Sequence, residues 1–302
     1  MLKASAHFVL VGAGLAIGAM LGALAAPTMI GPRGALGPSV LHAASPAGAV
    51  VAAVGVLIVA LVLGCIVGRL RNTAVGLFVA ASAPLGLAWN LADARELALS
   101  GSILPIIIEQ VVWFFLILGL ALLIFRVSGG FRDVLPTPEG ERPHPLLSGD
   151  ALRSGACGLI MVPAVMLLAR SMDKGQALGV AFTGAMVAGL AGRLVAPNVQ
   201  PILVTATPIL GGAVAYAIGW FQLGSTDMTD ALVSGTIPPA LRVMPPDYVA
   251  GALAGSAIGF GWAKSFLHGD QPRSQEGVPA KAPSGVVIRS PAATDRTERA
   301  AT

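Results

Sequence analysis

The chain has 302 residues, 55% of them hydrophobic and only 11% charged, with a formal net charge of +4 and a mean hydropathy of +0.79. A soluble globular domain carries about 25% charged residues, so this composition excludes a chain that hides its apolar surface in one water-soluble core. Continuous apolar runs of about 20 residues predict membrane-spanning helices instead. The strands of a membrane barrel would alternate apolar and polar residues, which these runs do not do.

Eight apolar runs predict an all-α, polytopic integral membrane protein with about eight transmembrane helices. In chain order, the runs are residues 7–26, 46–68, 73–91, 103–125, 152–169, 175–192, 201–221 and 247–267. The first run has an alternative interpretation as a signal peptide, because Lys3 precedes an apolar stretch that ends in small residues before Pro27. Cleavage there would leave seven helices in the same orientation.

The basic residues collect on alternate connections between the runs. With the N-terminus inside, the inner ends carry about twice as many Lys and Arg residues as the outer ends, which hold Arg33, Arg95, Arg170, Lys174 and Arg242. Positively charged connections stay in the cytoplasm, so we expect both termini to be cytoplasmic. The preference for Arg over Lys and the many Ala and Gly residues are typical of a GC-rich bacterial genome. We therefore expect the bacterial cytoplasmic (inner) membrane.

The runs divide into two sets of four. We expect a first transmembrane set at residues 1–125, a Pro- and Gly-rich cytoplasmic linker at 126–151, a second set at 152–268 and a disordered cytoplasmic tail at 269–302. The linker is rich in turn-forming residues, and the tail has too few large apolar residues to offset the entropy of ordering. No common register between the two sets indicates a duplication.

Glycines at four-residue spacing form the strongest pattern within the runs. The first run contains Gly14, Gly18 and Gly22, and the eighth contains Gly251, Gly255 and Gly259. Such residues make a groove on one helix face where another backbone can approach closely. We expect these seams to pack helices within one bundle; association with a second copy of the chain through the same seams is the alternative.

Glu109 is the only carboxylate well inside an apolar run, roughly 9 Å from the start of the fourth helix. An ionisable residue at membrane depth is expensive and by default marks a functional site. If the third and fourth helices form a hairpin, Asn90 and Arg95 approach Glu109 and Gln110. The sequence predicts an outward polar pocket with Glu109 as a proton or cation site. The alternatives are neutralisation by Arg95, or a protonated or snorkelling Glu109.

A second polar cluster surrounds the start of the seventh helix. Thr205 and Thr207 follow Asn198 and Gln200, and prolines at 197, 201 and 208 punctuate the segment. Interrupted helices with freed backbone groups bind substrates in secondary transporters, so the threonines are candidate binding residues. The alternative is that they bond to carbonyl groups of their own helix.

Two functions fit these patterns. One is a secondary transporter or permease-like protein coupled through Glu109; the other is a non-catalytic membrane scaffold or assembly subunit packed through its glycine seams. We expect no cofactor, metal or nucleic-acid partner, since the two cysteines and four histidines have no ligand spacing and no phosphate-binding loop occurs. The sequence shows no nucleophile placed with a general base, so nothing in it indicates an enzyme.

Overall fold

The computed structural model describes residues 2–100, 102–134 and 144–267. These residues form helices, short 3₁₀ turns and loops, and the one β-type contact among them is an isolated bridge between Ile30 and Leu36. The all-α prediction is confirmed for this part of the chain. The predicted tail and residues 135–143 of the predicted linker lie outside the described residues.

Twelve α-helices are present in the described part of the chain. They are α1 Leu2–Ala25, α2 Pro46–Leu70, α3 Thr73–Ala80, α4 Ser82–Asn90, α5 Ala94–Ser100, α6 Leu104–Ser128, α7 Gly149–Ala156, α8 Met161–Leu168, α9 Lys174–Val195, α10 Ile202–Leu223, α11 Met228–Val233 and α12 Pro245–Leu267. Each predicted run coincides with a helical segment. The third run contains α3 and α4, and the fifth contains α7 and α8.

Seven helical segments are long and apolar enough to cross a membrane. They are His7–Met29, Pro46–Leu70, Thr73–Asn90, Leu104–Ser128, Gly149–Leu168, Lys174–Val195 and Ile202–Leu223. The eighth predicted span, α12, has a similar length but is not among them. Helix α12 is largely buried between other helices, so most of its surface contacts protein. Small or polar residues are therefore tolerated on it.

Prolines account for the interruptions in the third and fifth segments. Pro84 lies just after the turn between α3 and α4, and Pro163 lies just after the 3₁₀ turn Cys157–Ile160 that separates α7 from α8. Proline has no N–H group to donate to the carbonyl four residues earlier, so the regular helical pattern is broken at both places.

The connections between helices meet at two opposite ends of the bundle. The loop end contains residues 26–45, 91–103, 169–173 and 224–244, and the basic end contains residues 71–72, 129–134, 144–148 and 196–201. At the basic end, Gln200 accepts a bond from the Phe131 amide at 2.9 Å and donates one to the Phe131 carbonyl at 3.0 Å. Consecutive long segments therefore run antiparallel, as the order of the runs predicts.

Arg242 ties two loops together at the loop end. Its guanidinium group donates to the carbonyl oxygens of Ile237 and Ala169, each through a bond of 3.1 Å. Partial burial lowers the pKa of Arg242, and the positive charge of Arg170 lowers it further. An arginine nevertheless stays protonated in a protein, so this connection persists across the physiological pH range.

Both predicted glycine seams lie against helices of the same chain. The α1 seam packs on α4, where Gly22 faces the backbone of Ala83, and the α12 seam packs on α9, where Gly255 faces the backbone of Phe182. A methyl group at either glycine would overlap those backbone atoms. Backbone-to-backbone contact of this kind is what small residues at helix interfaces permit.

The α12 seam gives a matched pair of substitutions in one helix. Gly255→Ala should destabilise the protein by about 2 kcal/mol, because the added carbon overlaps the Phe182 carbonyl and well-packed helices cannot separate freely. Gly261→Ala should be neutral or slightly stabilising, because a carbon added there meets nothing within 4 Å. Thermal unfolding in detergent measures both. Equal midpoints for the two variants would contradict the close α9–α12 contact.

Candidate functional site

Glu109 is held by three N–H donors in the interior of the loop end. Its Oε1 atom accepts bonds from the Val40 amide at 3.1 Å and the Trp113 indole at 3.0 Å, and its Oε2 atom accepts one from the Leu41 amide at 3.0 Å. The side chain is only 4% exposed. Hydrogen bonds to a charged acceptor are about twice as strong as neutral ones, so this carboxylate anchors the loop at residues 30–45.

Local geometry explains how the loop reaches Glu109. Trp113 lies one helical turn after Glu109 on α6, so the two side chains are neighbours on one face. Ser39 and His42 form a side-chain hydrogen bond of 2.9 Å across the turn that contains the two amides. The other ring nitrogen of His42 lies 3.1 Å from the carbonyl oxygen of Ser102, just before α6. The loop is thereby fastened next to the carboxylate.

The cavity beside Glu109 is small and apolar. Its volume is about 100 Å³, and side chains of α2 and α6 form most of its wall: Val50, Ala53, Val54, Leu57, Val112 and Leu116. Glu109 is the one charged side chain among the described residues that line it. The cavity therefore offers an ion at Glu109 no second charged side chain among the described residues.

Gln110 points away from this cavity, toward α10 and α12. Its amide nitrogen donates to the Ile209 carbonyl at 3.0 Å, while its Oε1 atom has no hydrogen-bond partner among the described residues. The Tyr248 hydroxyl is also buried without a partner in that part of the chain. Both side chains border Gly212. The arrangement leaves one acceptor and one donor unsatisfied in the interior.

Asn90 and Arg95 line a polar basin at the loop end, and Glu109 does not. The basin has a volume of about 350 Å³ and includes Lys174 in its wall. Asn90 donates to the Gly86 carbonyl at 2.8 Å, and the Arg95 guanidinium lies 3.7 Å from Asp93. The sequence thus predicts a polar pocket at this end, but the structure places these two residues with Lys174 rather than with Glu109.

Lys174 and Asp247 form a buried ion pair that the sequence analysis missed. The Lys174 ammonium lies 2.8 Å from Asp247 Oδ1, and the two side chains are 15% and 0% exposed. Asp247 Oδ2 accepts a bond from the Met244 amide at 2.9 Å, and Lys174 also donates to the Ala92 carbonyl at 3.3 Å. The contact joins the starts of α9 and α12 directly behind the basin.

The sequence gives one weak signal for this pair. Lys174 immediately precedes the sixth apolar run and Asp247 is the first residue of the eighth. Charges at the ends of runs are usually exposed to water, so nothing in the pattern distinguishes these two from ordinary flanking residues. Only the three-dimensional arrangement shows that the ends of α9 and α12 are covered by the connections around them.

The threonines of the second cluster lie in an unbroken helix. Helix α10 continues through Pro208. Thr205 donates to the Pro201 carbonyl at 3.0 Å, as in the alternative interpretation, and the Thr207 hydroxyl is buried without a partner among the described residues. Thr207 packs against Gly158 in the 3₁₀ turn. Asn198, which bonds Asp150 at 2.8 Å, helps to close the basic end.

Within the described residues, no group of three or more His, Cys, Asp or Glu side chains could hold a metal ion. No protein-family model, curated protein or solved structure matches the chain. The function is therefore argued from the geometry of these side chains.

Removing the charge of Glu109 should release the loop at residues 30–45. Glu109→Gln keeps one acceptor oxygen but loses the charge that three donors share, so we expect a loss of about 2 kcal/mol of stability. Trypsin should then cleave faster after Arg33, which is exposed in this loop. Asp230→Asn removes an exposed carboxylate from the same end and is the control. Unchanged cleavage in Glu109→Gln would contradict the anchoring role.

The Lys174–Asp247 pair should show strong coupling in a double-mutant cycle. Lys174→Met alone leaves Asp247 buried and unpaired, which costs about 3 kcal/mol, and Asp247→Leu alone has a similar cost. The double variant removes both charges and should regain most of that stability. Chemical denaturation in mixed micelles measures the cycle. Additive losses would show that the two groups do not form a pair.

Proposed function

We propose that this chain is a multi-pass protein of the bacterial cytoplasmic membrane that acts as a permease coupled to a proton or a monovalent cation. The coupling site is the Lys174–Asp247 pair. The loop end faces outward and the basic end faces the cytoplasm, in accord with the retention of positive connections inside. All eight long segments cross the bilayer, including α1, whose glycines fit closely against α4.

The observation that carries this proposal is the position of the ion pair. A charged pair that is buried where two helices begin is expensive, and buried ionisable residues mark ion or substrate paths in membrane proteins. Lys174 lines the polar basin and Asp247 lies behind it, fully buried. An ion that enters the basin from outside therefore reaches Lys174 first and Asp247 next.

The coupling step is an exchange of partners at Asp247. The Lys174 ammonium occupies the place where a proton or a cation would neutralise this carboxylate. When the incoming ion binds Asp247, Lys174 is released and retains its bond to the Ala92 carbonyl, which it already reaches at 3.3 Å. The exchange removes the direct contact between the starts of α9 and α12. It thereby changes how tightly the outer ends of these two helices are joined.

Glu109 has a different role in this proposal from the coupling role that its sequence position predicts. Each of its oxygens accepts at least one N–H bond, and the neighbouring cavity is apolar. Glu109 fixes the loop that covers the outer ends of α2 and α6. The basin residues Asn90 and Arg95 lie at the entrance of the path to Asp247, where they orient the ion or a co-transported solute.

Labelling of lysine from outside tests the coupling step and the orientation together. The chain has four lysines, and Lys3, Lys264 and Lys281 belong to the cytoplasmic side of the proposed arrangement. A membrane-impermeant amine reagent added to spheroplasts should therefore modify Lys174 alone. Its modification should be several-fold faster in sodium or lithium chloride than in choline chloride if one of these cations displaces Lys174 from Asp247.

Two further measurements complete the test. Asp247→Asn should give fast, salt-independent labelling of Lys174, whereas Asp230→Asn should behave like the wild type. Proton coupling is tested in proteoliposomes that contain a trapped pH dye. An imposed inward proton gradient should acidify the vesicle interior, and Asp247→Asn should abolish this acidification. Salt-independent labelling in the wild type together with proton flux equal to empty vesicles would contradict the proposal.

A membrane scaffold or assembly subunit is the second candidate. The observation in its favour is the tight glycine packing of α1 on α4 and of α9 on α12, which opposes relative movement of these helices. Association with a second copy through the seams would have to displace α4 or α9. A scaffold of this kind predicts no effect of Asp247→Asn beyond reduced stability.

A further inference from the structure

We propose that the basic end carries a binding site for an anionic glycerophospholipid, with its phosphate in a basic basin and an acyl chain in the adjoining groove. The inference rests on the membrane setting proposed above, but not on the coupling site at the other end of the bundle. Two cavities that share residues carry it.

The first cavity is a basin that holds more positive than negative charge. It has a volume of about 340 Å³ and lies between the ends of α2, α6 and α12. Its charged lining residues are Arg69, Arg71, Arg132, Lys264 and Asp133. Four bases and one acid at one cavity favour an anionic ligand with several oxygen acceptors, such as a phosphate group.

The one acid among the described lining residues does not neutralise the basin, because Asp133 is already paired. Its carboxylate lies 3.3 Å from the guanidinium group of Arg193, which is 1% exposed and also lies over the Phe131 ring. By contrast, the guanidinium groups of Arg69, Arg71 and Arg132 make no ion pair or hydrogen bond with another residue that the structure describes. Their charge is available to a ligand.

The second cavity is an apolar groove that continues from the basin. It has a volume of about 460 Å³, lies between α1, α3 and α12, and shares Arg71, Asn72, Ala74 and Gly261 with the basin. Its apolar wall contains Phe8, Val11, Val75, Phe78, Ile258 and Trp262. Phe78 lies seven residues after Arg71, so the groove extends roughly 10 Å from the charged end into the apolar zone.

This combination fits a lipid better than a soluble anion. A soluble phosphate compound would use the basin but would gain nothing from a groove walled by aromatic and branched side chains. An anionic phospholipid uses both, because its headgroup is charged and its chain is apolar. Basic pockets between helices on the cytoplasmic side bind such headgroups, and the exposed Trp262 in the groove wall is the residue type that favours the membrane interface.

Calorimetric titration of the full-length chain in neutral detergent tests the site. The probes are dioctanoyl phosphatidylglycerol, dioctanoyl phosphatidylcholine and inorganic phosphate. We expect tight binding of phosphatidylglycerol only, weakened by added salt. Arg71→Gln should weaken it roughly fivefold, the factor for one base near an anionic headgroup.

Two variants separate the site from simpler explanations. Arg126→Gln removes an exposed base that belongs to the same end but does not line the basin, so it should leave binding unchanged. Ile258→Trp narrows only the groove and should weaken phosphatidylglycerol binding while all bases remain. Equal binding of both lipids, an equal effect of Arg126→Gln and Arg71→Gln, or phosphate binding as tight as phosphatidylglycerol would each overturn the proposal.

Discussion

Polar groups inside this bundle are stabilised by partners within the protein, since an unpaired buried group costs several kcal/mol, although a few side-chain atoms lack a partner among the described residues. This constraint explains why interior polar side chains so often bind loops. Glu109 captures two amides of the loop at residues 30–45, and Gln200 pairs with both backbone groups of Phe131. The same side chains that satisfy the interior therefore close the two ends of the bundle.

Glycine packing sets how near the helices come and which of them are shielded. Because Gly251, Gly255 and Gly259 let α9 approach α12 backbone to backbone, α12 becomes a central helix. Because neighbouring helices shield α12 from solvent, its residues Asp247, Tyr248 and Ser256 can be buried in the interior of the protein. The long helix that is absent from the seven apolar spans is thus the one that carries the buried carboxylate of the ion pair.

The sequence predicts the eight helical segments well because each is a continuous apolar run with a polar boundary. It predicts the bounds of α2 and α9 within a few residues. Prediction of the candidate site is weaker. Asn90 and Arg95 do line a polar basin, but the partners of Glu109 are backbone amides of Val40 and Leu41, which no side-chain pattern reveals. Short helices α5 and α11 leave no apolar run to detect.

The Lys174–Asp247 ion pair shows why the sequence does not predict the remaining residues of the candidate site. Lys174 and Asp247 are 73 residues apart and stand at the margins of two runs, where charge is normally solvated. Their burial depends on the connection that holds Ala92 beside α9 and on the residues before α12. Hydropathy measures each segment against solvent and contains no information about which loop covers which helix end.

The two ends of the bundle differ in how their charges are compensated. At the loop end, Lys174 is paired with Asp247, and Arg242 is bound by several carbonyl groups. At the basic end, Arg69, Arg71 and Arg132 have no protein partner within the described residues, although these same bases favour a cytoplasmic location. A charge that orients the chain need not be neutralised by the chain. In the lipid site proposed above, such a charge stays available to an anionic headgroup, and the groove beside Arg71 would give that lipid a fixed position.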